Sequence, residues 1–141
     1  MIAYLDSSVL LRMVLGQPGR LKEWKSIEHG VASALVEVEC LRTLDRLRLR
    51  TRANDEDIAI RREAIFLLLQ SINVVELDQL ILSRASQPLP TEIGTLDAIH
   101  LVTALDWCQQ AGENLLMATH DQTLGIAARA CGLRVVGLPR K

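Results

Sequence analysis

Three aspartates stand where a carboxylate can do chemistry. Asp6 ends the apolar run Met1-Ile-Ala-Tyr-Leu, which reads as a short buried strand, and Ser7-Ser8 reads as the turn into a helix. That puts a carboxylate at the C-terminal end of a strand, the edge where open α/β sheets keep their sites. Asp121 follows a second apolar run, Leu115–Ala118, within Thr119-His-Asp-Gln122. If those two strands are neighbours, Asp6 and Asp121 converge on one edge. Asp97 is the third. On a wheel of 100° per residue it falls on the arc of Leu101, Ala104 and Cys108, so its carboxylate turns inward, which is costly unless it is paired or metal-bound. Acids gathered in this way repel one another unless a hard cation neutralises them. Mg²⁺ and Mn²⁺ prefer such oxygen ligands, and the lowered pKa of a coordinated water suits phosphodiester hydrolysis.

Each acid also has a purely local reading. Asp6 can be a helix cap, while Asp97 and Asp121 can be first-turn acids favoured by the helix dipole. His100, one turn beyond Asp97, reads either as a ligand or as a hydrogen-bonded structural histidine. The helix after Ser33 offers both Glu37 and Glu39. Its buried stripe is Val36, Cys40, Leu44 and Leu47; Glu37 lies nearer that stripe, and Glu39 shares the arc of Arg42, Arg46 and Arg50. By periodicity alone Glu39 is a solvated partner of Arg42, and nothing selects it as catalytic.

The elements that must position these groups follow from the pattern of the chain. A short helix from Ser8 ends at Gly16-Gln-Pro-Gly19, and Arg20–His29 reads as a surface helix. A weak strand at Gly30–Ser33 precedes a helix to about Arg50. A further helix, capped by Asn54 or Asp55 and carrying acids in its first turn, runs to about Gln70. Ile72–Leu77 reads as a strand, Asp78 opens a short helix, and Pro88–Gly94 is a loop. Thr95 caps a helix through Gln110, Thr119-His-Asp-Gln122 has the capping-box pattern for a helix to Ala130, and Arg134–Gly137 is the last strand. Strands alternating with helices predict a parallel, doubly wound α/β sheet with helices on both faces, in one domain spanning residues 1–141.

Composition narrows the partners. The 141 residues carry 16 basic and 17 acidic side chains, so no overall positive field advertises nucleic acid. Distribution is uneven: thirteen of the basic residues are Arg, and Arg42, Arg46, Arg48, Arg50, Arg52, Arg61 and Arg62 crowd one region. That cluster reads as a solvated face, a phosphate contact or a dock for acidic side chains. Cys40, Cys108 and Cys131 are odd in number, widely spaced and set in apolar helical patterns, as expected of small core residues in a reducing cytosol. No stretch is long and apolar enough to span a membrane, so a cytoplasmic protein is expected.

Four blocks of the sequence together resemble the PIN-domain ribonucleases, in particular the VapC-type toxins of type II toxin–antitoxin systems. They are Tyr4-Leu-Asp-Ser-Ser8, Ser33-Ala-Leu-Val-Glu-Val-Glu39-Cys-Leu-Arg42, Leu96-Asp-Ala-Ile-His100, and Thr119-His-Asp-Gln-Thr-Leu124 continuing to Gly132-Leu133. The resemblance covers almost the whole chain and singles out Glu39 over Glu37. It implies a five-stranded parallel sheet and an acidic site of Asp6, Glu39, Asp97 and Asp121 for Mg²⁺ or Mn²⁺, with Asp6, Asp97 and Asp121 as ligands and Ser7 and Thr119 as supporting hydroxyls. It further implies an endoribonuclease toxin that arrests growth, a cognate antitoxin and a homodimer, with Arg42, Arg46 and Arg50 as candidate RNA or antitoxin contacts. Two alternatives carry different expectations. A housekeeping PIN-type nuclease would lack an antitoxin gene beside its own. A Mg²⁺-binding phospho-receiver would need an adjacent acidic pair after the first strand and a Lys after the fifth, whereas here Asp6 stands alone and the fifth strand leads to Gly137.

Overall fold

The computed structural model describes residues 1–139; Arg140 and Lys141 lie outside the described residues. Along the chain run β1 (Ile2–Leu5), α1 (Ser7–Leu15), a 3₁₀ turn (Lys22–Ser26), β2 (His29–Ser33), α2 (Leu35–Thr51) and α3 (Asp55–Gln70). These are followed by β3 (Asn73–Val75), α4 (Gln79–Ala85), α5 (Thr95–Ala111), β4 (Leu116–Ala118), α6 (Gln122–Ala130) and β5 (Val135–Val136). The strands form one parallel sheet in the order β3-β2-β1-β4-β5.

Helices cover both faces, as the alternation of strands and helices predicts. Side chains alternate across a strand. Ala3 and Leu5 therefore enter a core with Val9, Leu10, Val36, Leu44 and Ile65 from α1, α2 and α3. Tyr4 and Met117 enter the opposite core with Leu101, Ala104, Leu124 and Ala127 from α5 and α6. The central strands are buried on both sides, which is why β1 and β4 read as unbroken apolar runs.

Strand order reverses beside β1: the chain first builds outward to β2 and β3, then returns to place β4 on β1's other edge. Leu5 pairs with Ala118, and the ladder continues as the Asp6 N–H donates to the Ala118 carbonyl at 3.1 Å. The next residues on the two strands are Asp6 and Thr119. The crevice at this switch point is therefore walled by the two segments that carry Asp6 and Asp121.

Several local expectations fail, each for an identifiable reason. Arg20–His29 is not an α-helix; it holds only the 3₁₀ turn, and His29 already belongs to β2. Leu21, Trp24 and Ile27 recur every third residue and all pack on the core, a spacing that fits three residues per turn rather than 3.6. Thr95 does not cap α5; Gly94 occupies that position without a side-chain cap. Thr119 does not cap α6 either. Asp121 does, accepting from the Thr123 N–H at 2.8 Å, because the Thr119 hydroxyl is engaged elsewhere. The strands β3, β4 and β5 are shorter than the apolar runs that carry them.

Candidate active site

The switch-point edge assembles side chains from four helices and two strand ends. Asp6 is 5 % exposed and accepts three hydrogen bonds. The Ser7 N–H donates to Oδ1 at 2.8 Å, while the hydroxyls of Ser8 and Thr119 donate to Oδ2 at 2.7 and 2.8 Å. The Thr119 hydroxyl oxygen in turn accepts the Asp121 N–H at 2.9 Å. A single threonine thus links the two aspartates across the β1–β4 boundary. Ser7 contributes its backbone N–H; the supporting hydroxyl on this side comes from Ser8, on the inner face of the first turn of α1.

Glu39 reaches the same edge from α2. Its Oε1 lies 2.5 Å from His100 Nε2, which is also 4.0 Å from Asp6 Oδ1. Arg42 does not pair with Glu39; it pairs with Asp45 at 3.1 Å. The wheel misassigns Glu39 because its arc is solvated only along the later turns of α2, where Arg46 and Arg50 lie. In the first turns that arc faces the start of α5. Glu37, nearer the buried stripe by periodicity, is exposed.

His100 is fully buried and structural in its contacts. Its Nδ1 lies 2.6 Å from the Tyr4 hydroxyl, and that oxygen accepts the Ser33 N–H at 3.2 Å. In the neutral ring, Nε2–H donates to Glu39 and Nδ1 accepts from Tyr4, so every polar atom is satisfied. The chain Glu39–His100–Tyr4–Ser33 ties α2, α5, β1 and β2 together beneath the acids. Burial pulls the imidazole pKa down, but the hydrogen bond and charge of Glu39, with Asp6 and Asp97, outweigh it and leave the pKa raised. Burial, followed by the neighbouring acids, also raises the Tyr4 hydroxyl well above its ordinary value and pushes the Cys40 thiol up to about 12.

Asp97, in the first turn of α5, is half-buried, and its carboxyl is pushed up to about 6. Burial is the largest cause, then the charges of Asp121 and Asp6, with Glu39 adding and His100 opposing. The charges of the other three acids therefore all reach Asp97 at this edge. Among the described residues, no three His, Cys, Asp or Glu side chains stand close enough to hold an ion jointly as placed.

The arginines divide. Arg42 and Arg46 line a cleft of about 310 Å³ together with Glu39, Ser7, Val38 and Leu96, whereas Arg50 is not part of its wall. Tyr4 and Ser8 are the site residues that residue patterns did not mark. Tyr4 looked like one apolar position in a strand, and only its pairing with His100, 96 residues away, gives it a role.

The PIN domain family matches residues 3–128. The chain belongs to the PIN-domain family. It is 30% identical over 138 residues to Ribonuclease VapC46 of Mycobacterium tuberculosis, covering 94% of this chain and 95% of that protein. Two solved structures share the fold. The crystal structure of PAE2754 from Pyrobaculum aerophilum superposes with a TM-score of 0.61 at 20% identity, over 96% of this chain and 90% of that one. The structure of FitAB bound to an IR36 DNA fragment gives a TM-score of 0.65 at 15% identity, over 96% and 93%.

Proposed function

We propose that the protein is a metal-dependent endoribonuclease of the VapC type, the toxin of a type II toxin–antitoxin pair that arrests growth by cutting RNA. The observation that carries this reading is the shared anionic edge, in which Asp6, Asp121 and Glu39 all raise the Asp97 carboxyl. A carboxyl pushed up to about 6, by burial first and by three neighbouring acids after it, marks a place where positive charge is wanting. The donors are all hard oxygens, which fits Mg²⁺ or Mn²⁺, ions that keep several waters rather than requiring a closed protein cage. When bound, such an ion supplies a water of lowered pKa and offsets the charge of a phosphodiester.

The chain's own residues have separate duties. Asp6, Asp97 and Asp121 would hold the ion, with Asp6 oriented by Ser8, Thr119 and the Ser7 N–H. Glu39, fixed by His100, would complete the acidic set and orient a water for attack. Nearly full-length likeness to a protein named as a ribonuclease supports the RNA substrate. A small antitoxin, a homodimer and a cytoplasmic location belong to the same proposal, as does contact of Arg42, Arg46 and Arg50 with RNA or antitoxin.

The direct test is cleavage of RNA by the purified protein. Activity is expected with Mg²⁺ or Mn²⁺, lost in EDTA and restored by excess Mg²⁺. Undiminished cleavage in EDTA would contradict a metal-dependent mechanism.

A further inference from the structure

On the β5 side of the acids lies a second cleft, of about 430 Å³, walled by Arg12, Arg20, Lys22, Glu23 and His120. It shares a partition with the acidic site. The Ser8 hydroxyl donates to Asp6 and its oxygen accepts the His120 N–H at 3.0 Å. The His120 ring is fixed in turn, with Nδ1–H donating to the Gly137 carbonyl at 2.7 Å. Arg12 lies one turn beyond Ser8 on the same face of α1. Its guanidinium donates to the Gly19 carbonyl at 3.1 Å, which holds the loop carrying Arg20 and Lys22 over the cleft.

The charge here is uncommitted. Among the described residues, none of Arg12, Arg20 and Lys22 lies within 4.0 Å of a carboxylate, and Glu23 is the one acid in the wall. On α2, Arg42 and Arg48 both pair with Asp45, while Arg46, which donates to the Thr43 hydroxyl, and Arg50 pair with no carboxylate among the described residues. Four carboxylates repel a polyanion, so a strand entering the site needs cations beside it that are free to take phosphate.

We propose that this cleft is a phosphate-binding subsite for the RNA strand next to the scissile position, with Arg12, Arg20 and Lys22 gripping the backbone and His120 separating it from the acids. The proposal rests on the ribonuclease reading and adds to it the side from which the strand enters. Such contacts set affinity and register, not sequence.

The test is binding of a short, fluorescently labelled single-stranded RNA of mixed sequence in EDTA, across a salt series. Arg20→Ala/Lys22→Ala removes two exposed charges from the cleft. Arg129→Ala/Arg134→Ala removes two exposed charges before β5, at the N-terminal end of that strand and so away from the cleft that follows it. The cleft pair is expected to weaken binding about tenfold at low salt and to reduce the salt slope by about 1.4, while the control pair changes neither appreciably. Equal behaviour of the two pairs, with wild-type protein still binding and cleaving RNA, would overturn the subsite alone and leave the cleft to an acidic protein segment. A wild-type protein that neither binds nor cleaves RNA would remove the ribonuclease reading and the subsite together. Unchanged thermal melting of both pairs checks that folding is intact.

Discussion

A carboxylate at a helix start can be a cap, a ligand or both, and Asp6 and Asp121 each accept a backbone N–H from the helix they precede. The cap reading of Asp6 is therefore correct, Asp121 is a cap rather than the first-turn acid its pattern suggests, and neither role competes with the proposed site. The capping contacts fall on one oxygen of each carboxylate, Oδ1. Glu39 and Glu37 separate more sharply, because only Glu39 reaches His100. Glu39→Gln is expected to slow RNA cleavage by about a hundredfold, the scale of a positioned general-base contribution, while Glu37→Gln stays within about twofold of wild type. The reverse order in a single-turnover assay would show that the wrong glutamate has been placed in the site. Asp97 gives a prediction in stability. Its folded pKa is raised, so the folded protein binds the extra proton between about pH 4 and pH 6, and stability from this group falls as pH rises through that window. Without divalent ions, Asp97→Asn should match wild type near pH 4 and exceed it by about 1 kcal/mol at pH 7, allowing for solvent screening of a half-exposed group. Denaturant melts at the two pH values read this directly, and an Asn variant less stable at pH 7 would contradict the shared anionic field.

At the scale of elements, the end of β5 supports the site from behind. Gly137 has φ 96°, and a Cβ there would meet the Thr119 carbonyl oxygen at 2.7 Å. Gly137→Ala is expected to cost about 2 kcal/mol in thermal unfolding and, by displacing Thr119, to lower RNA cleavage more than its effect on stability accounts for. An Ala variant with unchanged melting and activity would show that the Thr119 segment yields freely. Elements were legible in the sequence where one signal dominated. The apolar runs of β1 and β4 and the long helices α2, α3 and α5 have no strong competing pattern. Legibility failed where two signals crossed. The Arg20–His29 segment mixes charged residues with apolar residues three apart, so helical periodicity overrides the 3₁₀ spacing until tertiary packing decides. Thr119 fits a capping box by composition, yet its hydroxyl goes to Asp6 across the sheet, a contact 113 residues distant that local pattern does not encode. Glu39 is the clearest case. The wheel placed it with the solvated arginines, and only likeness to a family singled it out, because a helix face can be solvent along one half and active-site wall along the other.

For the whole molecule, the parallel order β3-β2-β1-β4-β5 brings together residues 6, 39, 97 and 121, which are scattered along nearly the full chain. No single segment could build the edge. The switch point supplies the crevice, the Glu39–His100–Tyr4 chain fixes its floor, and two clefts flank it, one of them the proposed path of the RNA strand. Like charges sharing one edge oppose folding, and that opposition is the cost the proposed metal site implies. The central claim is that this acidic edge is the catalytic machinery. Its most direct measurement is RNA cleavage by purified Asp97→Asn protein in the presence of Mg²⁺, with folding verified by an unchanged circular dichroism spectrum and cooperative melting. Loss of cleavage by at least about a thousandfold from a folded Asp97→Asn protein is the predicted result; wild-type cleavage by that variant would contradict it.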